Sequence, residues 1–128
     1  MRLLLDTHIF IWFVLSPSQL SVTALAAIQS GENQIFLSLA SAWEMSIKSG
    51  LGKLNLTQPI EPFIVDQAQR NRFEILPITL PHIAAVERLP QHHRDPFGRL
   101  LIAQSLSEAM PIISADHAFD PYPISLLR

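Results

Sequence analysis

The chain has 128 residues and a formal charge of −2 at neutral pH, and 48% of its residues are hydrophobic. This length fits one domain with a substantial core, so we expect residues 1–128 to form a single domain. The sequence has no cysteine, which excludes disulfides and thiolate–zinc sites, and its charge excludes a global basic field for nucleic acid. Any contact with RNA must therefore depend on local basic residues, a metal ion or a partner chain.

The N-terminal stretch MRLLLDTHIFIWFVL combines a basic residue with an apolar run, as a signal peptide does. However, Asp6 and His8 interrupt the run, and no small-residue cleavage site follows it. No other stretch approaches the roughly 20 consecutive apolar residues that cross a bilayer. We therefore expect a soluble, cytoplasmic protein that does not associate with a membrane.

Short apolar segments alternate along the chain with segments of helical periodicity. The first segment, RLLL at residues 2–5, is typical of a strand buried on both faces, and a short helix is expected from Ile9 to Leu15. Ser21 is the expected N-cap of the next helix, and Gly31 is its expected end. QIFLS, residues 34–38, predicts the second strand.

The middle of the chain continues this alternation. SLASAWEMSIKSGLGKLNL predicts a helix on which Ala40, Trp43 and Ile47 share an apolar face. Residues 60–71 predict a further helix, and FEILPI at residues 73–78 predicts the third strand.

The last third adds two helices and two strands. LPHIAAVERLP predicts a short helix bounded by prolines, and a longer helix is expected from about Pro96 to Ala109. PIISAD predicts the fourth strand, and YPISLL a fifth at an edge of the sheet, because Pro123 has no N–H to donate. Strands that alternate with helices favour an α/β fold, with four to five parallel strands covered by helices on both faces.

Two acidic residues directly follow expected strands, Asp6 after RLLL and Asp116 after PIISA. Sites in open parallel sheets form beyond the carboxyl ends of the strands, so both residues are candidates for such a site. A turn or a helix cap is the simpler interpretation of each, because aspartate is common in both.

Glu44 is a third candidate, inside an apolar-rich stretch of the expected helix. Its spacing to Lys48 fits an ion pair one turn apart, which contributes about 0.3–0.5 kcal/mol. Alternatively, Glu44 points across the top of the sheet towards Asp6, and the sequence does not choose between these interpretations.

Asp95 is the fourth candidate. It precedes Pro96, and an Asp-Pro pair is typical of the N-cap and first residue of a helix. As a cap, its carboxylate would accept a hydrogen bond from the backbone N–H of Phe97 or Gly98.

If three or four of these carboxylates converge, their mutual repulsion requires a divalent cation. Oxygen ligands without cysteine favour Mg²⁺ or Mn²⁺ over zinc. Such an ion activates a water molecule for attack on a phosphodiester and stabilises the leaving oxygen.

Four segments, taken together, resemble the PIN-domain ribonucleases, and specifically the VapC-type toxins of toxin–antitoxin pairs. In chain order they are LLLDTHIFIW, SLASAWEMSIKSGLGKL, HHRDPFGRLLIAQSL and IISADHAFDPY. The resemblance implies a PIN-like three-layer α/β/α fold and a Mg²⁺- or Mn²⁺-dependent endoribonuclease that a cognate antitoxin holds inactive. It also implies that Asp6, Glu44 and Asp116 are metal ligands, and that Asp95 matches a further acid found in one branch of the family.

PIN toxins typically pair, so the resemblance also implies a homodimer. Trp12 and Phe13, near the N-terminus, are candidates for its interface, because a large exposed apolar patch is unfavourable on a monomer. Trp12, Phe13 and Trp43 are expected in the core or an interface and not as platforms for nucleic-acid bases.

The third segment departs from the family pattern, because Gly98 stands where the family carries an acid. Near the third residue of a helix, glycine costs up to about 1 kcal/mol relative to alanine, so helix propensity gives no reason for it. Loss of activity, an engineered change or compensation by Asp95 would each explain it. With ordinary helical backbone angles at residue 98, Gly98→Asp is expected to be tolerated and to supply the missing carboxylate.

Two alternatives to an active ribonuclease remain. The first is a degenerate PIN domain that binds its antitoxin but cleaves weakly or not at all, which Gly98 favours. The second is a phosphotransfer module with an aspartate at a strand end, although the lysine and threonine partners of such a site are missing from the late strands.

The basic cluster His92, His93 and Arg94 either contacts RNA phosphate or forms a solvated loop.

Overall fold

The computed structural model describes residues 1–128 and contains five strands and six α-helices. In chain order they are β1 Arg2–Leu5, α1 Thr7–Leu15, α2 Val22–Gln29, β2 Gln34–Ser38, α3 Leu39–Gly50, α4 Ile60–Asn71, β3 Glu74–Leu76, α5 Leu80–Arg88, α6 Pro96–Glu108, β4 Ile112–Ile113 and β5 Leu126–Leu127. Two short 3₁₀ turns, Pro17–Gln19 and His117–Phe119, complete the fold. No helix is both long enough and apolar enough to cross a membrane.

All five strands are parallel, in the order β3-β2-β1-β4-β5. The predicted parallel sheet is confirmed, and β5 lies at an edge as Pro123 indicated. Strand β1 occupies the centre, where Leu4 pairs with Phe36 of β2 on one side and Ile112 of β4 on the other. The carboxyl ends of β1 and β4 therefore meet at the same edge of the sheet.

Helices cover both faces of the sheet, because neighbouring side chains of a strand point to opposite faces. Leu3 and Leu5 pack in one cluster with residues of α1 to α4, such as Phe10 and Phe63. Leu4 packs in a second cluster, largely with α5 and α6, including Leu101. The predicted three-layer α/β/α architecture is confirmed.

Local signals explain most helix limits, with two departures from the expectations. Ser21 caps α2 by accepting from the Ala24 N–H at 3.0 Å, as predicted. Helix α2 ends at Gln29, and Gly31 directly follows the C-cap Ser30, but Gly31 lacks the positive φ of the expected glycine stop. Helix α1 begins at Thr7, two residues before its expected start, because the backbone turns immediately after Asp6.

The last three strands are shorter than the sequence suggested. Strand β3 ends at Leu76, before Pro77, and β4 begins at Ile112, after Pro111. Proline has no N–H for the ladder, so it limits both strands. Strand β5 contains only Leu126–Leu127 of the expected YPISLL segment.

The buried face of α3 also differs from the expectation. Ala40 is fully buried, but Trp43 is 56% and Ile47 41% exposed, so these three residues do not form one buried face. The face that packs inward instead carries polar side chains, Ser41 and Glu44, beside Ala40 and Met45. Amphipathic spacing therefore located the helix but assigned its face wrongly, because α3 turns polar groups inward.

Candidate active site

Asp6 and Asp116 follow adjacent central strands and are joined by one serine. The Ser114 hydroxyl donates to Asp6 Oδ2 at 2.8 Å and accepts from the Asp116 backbone N–H at 3.0 Å. Both aspartates line a cavity of about 200 Å³, together with His8 and Trp12. The pairing of β1 with β4 therefore brings these two carboxylates to one cleft.

The two aspartates differ in whether their side chains cap the helical segment that follows. Asp6 occupies the N-cap position of α1, but its side chain makes no capping hydrogen bond. Asp116 does cap the His117–Phe119 turn, since its Oδ1 accepts from the Ala118 N–H at 2.9 Å. The Asp6 carboxylate therefore serves the cleft and Ser114, and not the helix that follows it.

Burial raises the pKa of Asp6 above its ordinary value of 3.8, because only 7% of the residue is exposed. The Ser114 hydrogen bond and the charge of His8 lower the pKa, without offsetting the burial. The nearby negative charge of Asp116 raises it further. The raised pKa therefore shows that negative charge on Asp6 is unfavourable in this cleft when no cation is bound.

Glu44 projects from the inward face of α3. Lys48 Nζ lies 2.8 Å from Glu44 Oε2, so the ion pair that the spacing predicted is present. One turn earlier on the same face, Ser41 Oγ accepts from Thr7 Oγ1 at 2.8 Å. Because Thr7 follows Asp6, the face of α3 that carries Glu44 is turned towards the start of α1.

Asp95 caps α6 as predicted, with its Oδ1 accepting from the Phe97 N–H at 3.1 Å. It does not line the cavity that Asp6 and Asp116 share. The ring of Phe97 meets Trp43 of α3 edge to face, with centroids 5.0 Å apart. This contact sets the start of α6 beside α3, so the elements that carry Asp95 and Glu44 are neighbours.

The segment before Asp95 is held by two side chains that the sequence analysis missed. Arg99 is only 8% exposed. Its guanidinium donates to the carbonyls of Val86, Leu89, Pro90 and His93, at 2.9–3.5 Å. Tyr122 Oη accepts from the N–H groups of His92 and His93 and donates to the Pro90 carbonyl. The available signal was an arginine inside the otherwise apolar run of α6.

Gly98 has no positive φ, so its backbone is open to other residues. However, a Cβ at this position would lie 2.5 Å from Nε2 of His93. Gly98→Asp therefore requires the His93 ring to move, which the expectation of a tolerated substitution did not include. Helix spacing could not reveal this conflict, because it arises from a side chain of the preceding loop.

No group of three or more histidine, aspartate or glutamate side chains is arranged to hold a metal ion in this structure. The convergence of Asp6, Glu44 and Asp116 therefore stays a prediction. The smaller donor set does fit a hard divalent cation, because Asp6 and Asp116 supply only oxygen atoms and repel each other. Mg²⁺ characteristically binds one or two carboxylates and keeps several waters.

A family model, described as the PIN domain, matches residues 3–124. No curated protein matches the sequence. The resemblance inferred from the four sequence segments and the match to this family agree over nearly the whole chain.

Solved structures with the same fold cover almost the entire chain. VapBC2 from Rickettsia felis, bound to a DNA fragment from its promoter, has a TM-score of 0.74 at 14% identity, covering 99% of this chain and 98% of that one. FitAcB from Neisseria gonorrhoeae has a TM-score of 0.69 at 18% identity, covering 98% and 96%. A toxin–antitoxin complex from Klebsiella pneumoniae has a TM-score of 0.64 at 17% identity, covering 98% and 95%. At these identities the likeness establishes the fold.

Proposed function

The chain belongs to the PIN-domain family, and from this premise we propose that it is a metal-dependent endoribonuclease, the toxin of a toxin–antitoxin pair. The observation that carries the proposal is the Asp6–Ser114–Asp116 arrangement at the carboxyl edge of the sheet. Two carboxylates that share a cleft without a basic side chain bonded to either are suited to a divalent cation.

In this proposal Asp6 and Asp116 hold Mg²⁺ or Mn²⁺, and Glu44 and Asp95 complete the acidic site from α3 and α6. When bound, the ion supplies Lewis-acid stabilisation of the developing negative charge and lowers the pKa of a water molecule. Ser114 orients the Asp6 carboxylate by its 2.8 Å hydrogen bond. Burial of Asp6 reduces the solvent around its carboxylate, and this strengthens the electrostatic attraction between that carboxylate and a bound cation.

The shape of the surface beside the two aspartates supports a nucleic-acid substrate. A second cavity, of about 390 Å³, adjoins the acidic one and shares Trp12 and Ala115 with it. His117 and Gln19 supply polar groups to this second cavity. In this proposal the scissile phosphate would meet the aspartates in the first cavity, and the adjoining nucleotide would enter the second, where Trp12 and Ala115 form the shared wall.

An antitoxin partner and a homodimer belong to the same proposal. The Klebsiella pneumoniae neighbour is itself a toxin–antitoxin complex, which supports a protein partner for this chain.

The homodimer needs an apolar interface. Trp12 and Phe13 are half-buried and pack on the core, so they offer less apolar surface for such an interface than expected. A more exposed apolar groove, of about 390 Å³, lies between α3, α4 and β3 and includes Trp43, Val65 and Ile75. Light scattering of the isolated chain at micromolar concentration tests the dimer, and a monomer alone would contradict it.

The function is tested by incubating the purified chain with RNA in Mg²⁺ or Mn²⁺, with and without EDTA, beside Asp6→Asn. We expect cleavage that requires the divalent ion and is lost in the variant. Cleavage that persists in EDTA, or equally in Asp6→Asn, would contradict the metal-dependent site.

The second candidate function is a PIN domain that binds its antitoxin without efficient cleavage. Two observations favour it, namely Gly98 in place of an acid and the absence of a three-ligand cluster. A chain that co-purifies with its antitoxin, yet cleaves no RNA at any metal concentration, would establish this alternative over the nuclease.

A further inference from the structure

The imidazole of His93 fills the space above Gly98. A Cβ added to Gly98 would lie 2.5 Å from Nε2, 2.9 Å from Cδ2 and 3.2 Å from Cε1 of that ring. The other three glycines of the chain have no atom within 4 Å of such a Cβ. Gly98 is therefore the one glycine whose missing side chain is replaced by a neighbour.

His93 is held in this position from several sides. Its backbone N–H donates to Tyr122 Oη at 2.7 Å, and the buried Arg99 reaches its carbonyl at 3.5 Å. Its ring packs on Phe119, with centroids 5.5 Å apart, and its Nδ1 accepts from the Asp95 N–H at 3.3 Å. Moving the ring away from residue 98 would disturb these last two contacts.

These contacts connect the start of α6, which Asp95 caps, with the short turn that Asp116 caps. Asp95 caps α6, and Phe119 belongs to the turn that Asp116 caps through the Ala118 N–H. The imidazole touches both elements and lies over the first turn of α6. It is therefore placed to fix the start of α6 relative to the His117–Phe119 turn.

We propose that His93 is a positioning residue that fixes Asp95 and Asp116 relative to each other, and that residue 98 is glycine because the imidazole occupies its side-chain space. Gly98 is then a steric requirement of His93 and not a sign of decay. The steric part is independent of the activity, whereas the effect on metal binding rests on the proposed function.

The steric part is tested by introducing Gly98→Ala into the native chain and into His93→Ala, and measuring thermal unfolding. In the native chain the added methyl group displaces the ring, so we expect Tm to fall by about 3–6 °C. Without the ring, alanine is simply a better helix former, so we expect Tm to rise by about 2–4 °C. Arg99 and Tyr122 hold the loop through its backbone, which keeps the His93→Ala chain folded.

His92→Ala is the matched control. The His92 ring packs on Tyr122 and not over Gly98, so Gly98→Ala should still lower Tm in that background. The same sign of the Gly98→Ala effect with and without the His93 ring would overturn the steric part.

The positioning part is tested by the half-saturating Mn²⁺ concentration, read from the Mn²⁺-dependent rise in Tm. We expect His93→Ala to raise this concentration by about 10-fold, as removal of groups that orient ligands does. His93→Asn keeps an acceptor near Nδ1 for the Asp95 N–H, so we expect it to recover most of the lost affinity. Equal weakening by both variants, or no weakening by His93→Ala, would overturn the positioning role.

Failure of the proposed function is distinguishable from failure of the steric proposal. If no variant binds Mn²⁺ and none cleaves RNA, the metal-dependent function and the positioning role both fall. The change in Tm caused by Gly98→Ala, with and without the His93 ring, still decides whether the ring requires a glycine at residue 98.

Discussion

The two halves of the candidate site treat their carboxylates differently. In the β1–β4 half, Asp6 and Asp116 line one cavity, and neither forms an ion pair. In the α3–α6 half, Glu44 pairs with Lys48 and Asp95 caps a helix. The second half contains a carboxylate, Glu44, that is neutralised by the protein's own lysine, whereas neither carboxylate of the first half has a basic partner, although Asp116 caps the His117–Phe119 turn as Asp95 caps α6. The requirement for a cation is therefore concentrated at Asp6 and Asp116.

Asp6→Asn should give the largest effect, because it removes one of the two unpaired carboxylates. Groups that merely orient metal ligands cost 10–100-fold, so we expect cleavage to fall by at least about 100-fold. Without metal, the variant should be more stable by about 0.5–2 kcal/mol, because the buried charge is gone. RNA cleavage and thermal unfolding in EDTA measure the two effects. Asp66→Asn, on α4 and paired with Arg70, is the control, and it should leave cleavage unchanged and lower stability by no more than about 0.5 kcal/mol.

Ser114→Ala should weaken metal binding by Asp6 and Asp116, but less than Asp6→Asn does. It removes the hydroxyl that orients Asp6 and accepts from the Asp116 N–H, and leaves both carboxylates in place. We expect a 10–100-fold loss of divalent-ion affinity, that is about 1.4–2.7 kcal/mol, measured by metal-dependent thermal shifts. Ser105→Ala is the matched control. Ser105 is also buried but donates to the Met110 carbonyl at the far end of α6, so its loss should lower stability alone. An equal loss of affinity in both variants would contradict the assignment.

The stability of the metal-free protein should depend on pH through Asp6. Because its pKa is raised in the folded state, the folded chain retains a proton that the unfolded chain releases near its ordinary value of 3.8. Stability should therefore fall as pH rises from about 3.8 through the folded pKa, and level off above it. Urea unfolding across this range, compared with Asp6→Asn, isolates the effect. Identical pH profiles for the two proteins would show that Asp6 carries no raised pKa.

Lys48→Met should give the smallest effect, because it acts on Glu44, whose charge the protein already neutralises with Lys48. It frees Glu44 from its ion pair, which contributes about 0.3–0.5 kcal/mol, so divalent-ion affinity should rise by about twofold. Metal titration measures the change, and Lys53→Met, which removes an exposed lysine that forms no ion pair, is the control. An affinity equal to that of the native chain would place Glu44 outside the metal site.

Much of the fold could be read from local patterns. Helix α4 spans residues 60–71 as predicted, and the strand ending in Asp6, the caps Ser21 and Asp95 and the Glu44–Lys48 pair are all present. Each depends on residues a few positions apart, where spacing alone determines proximity.

The errors and omissions have a different origin. The periodicity of α3 predicted an apolar face shared by Ala40, Trp43 and Ile47, but Trp43 is largely exposed and the helix turns Ser41 and Glu44 inward instead. The contacts of Arg99 with Tyr122, and of His93 with the space over Gly98, depend on how loops lie against helices. Sequence spacing does not predict such contacts. The sequence therefore showed that Gly98 is unusual but not why glycine is needed there.

The central position of β1 has a consequence for the order in which the site assembles. Asp6 and Ser114, which its carboxylate contacts, are separated by 108 residues. Ribosomes add about 5–20 residues per second, so this bond forms no sooner than about 5–20 seconds after Asp6 is synthesised. The first strand must wait for β4 before the sheet closes beside it. A nascent chain therefore lacks the Asp6–Ser114 contact for nearly the whole of its translation, and the cleft on which the proposed activity depends is completed only after β4 has been synthesised.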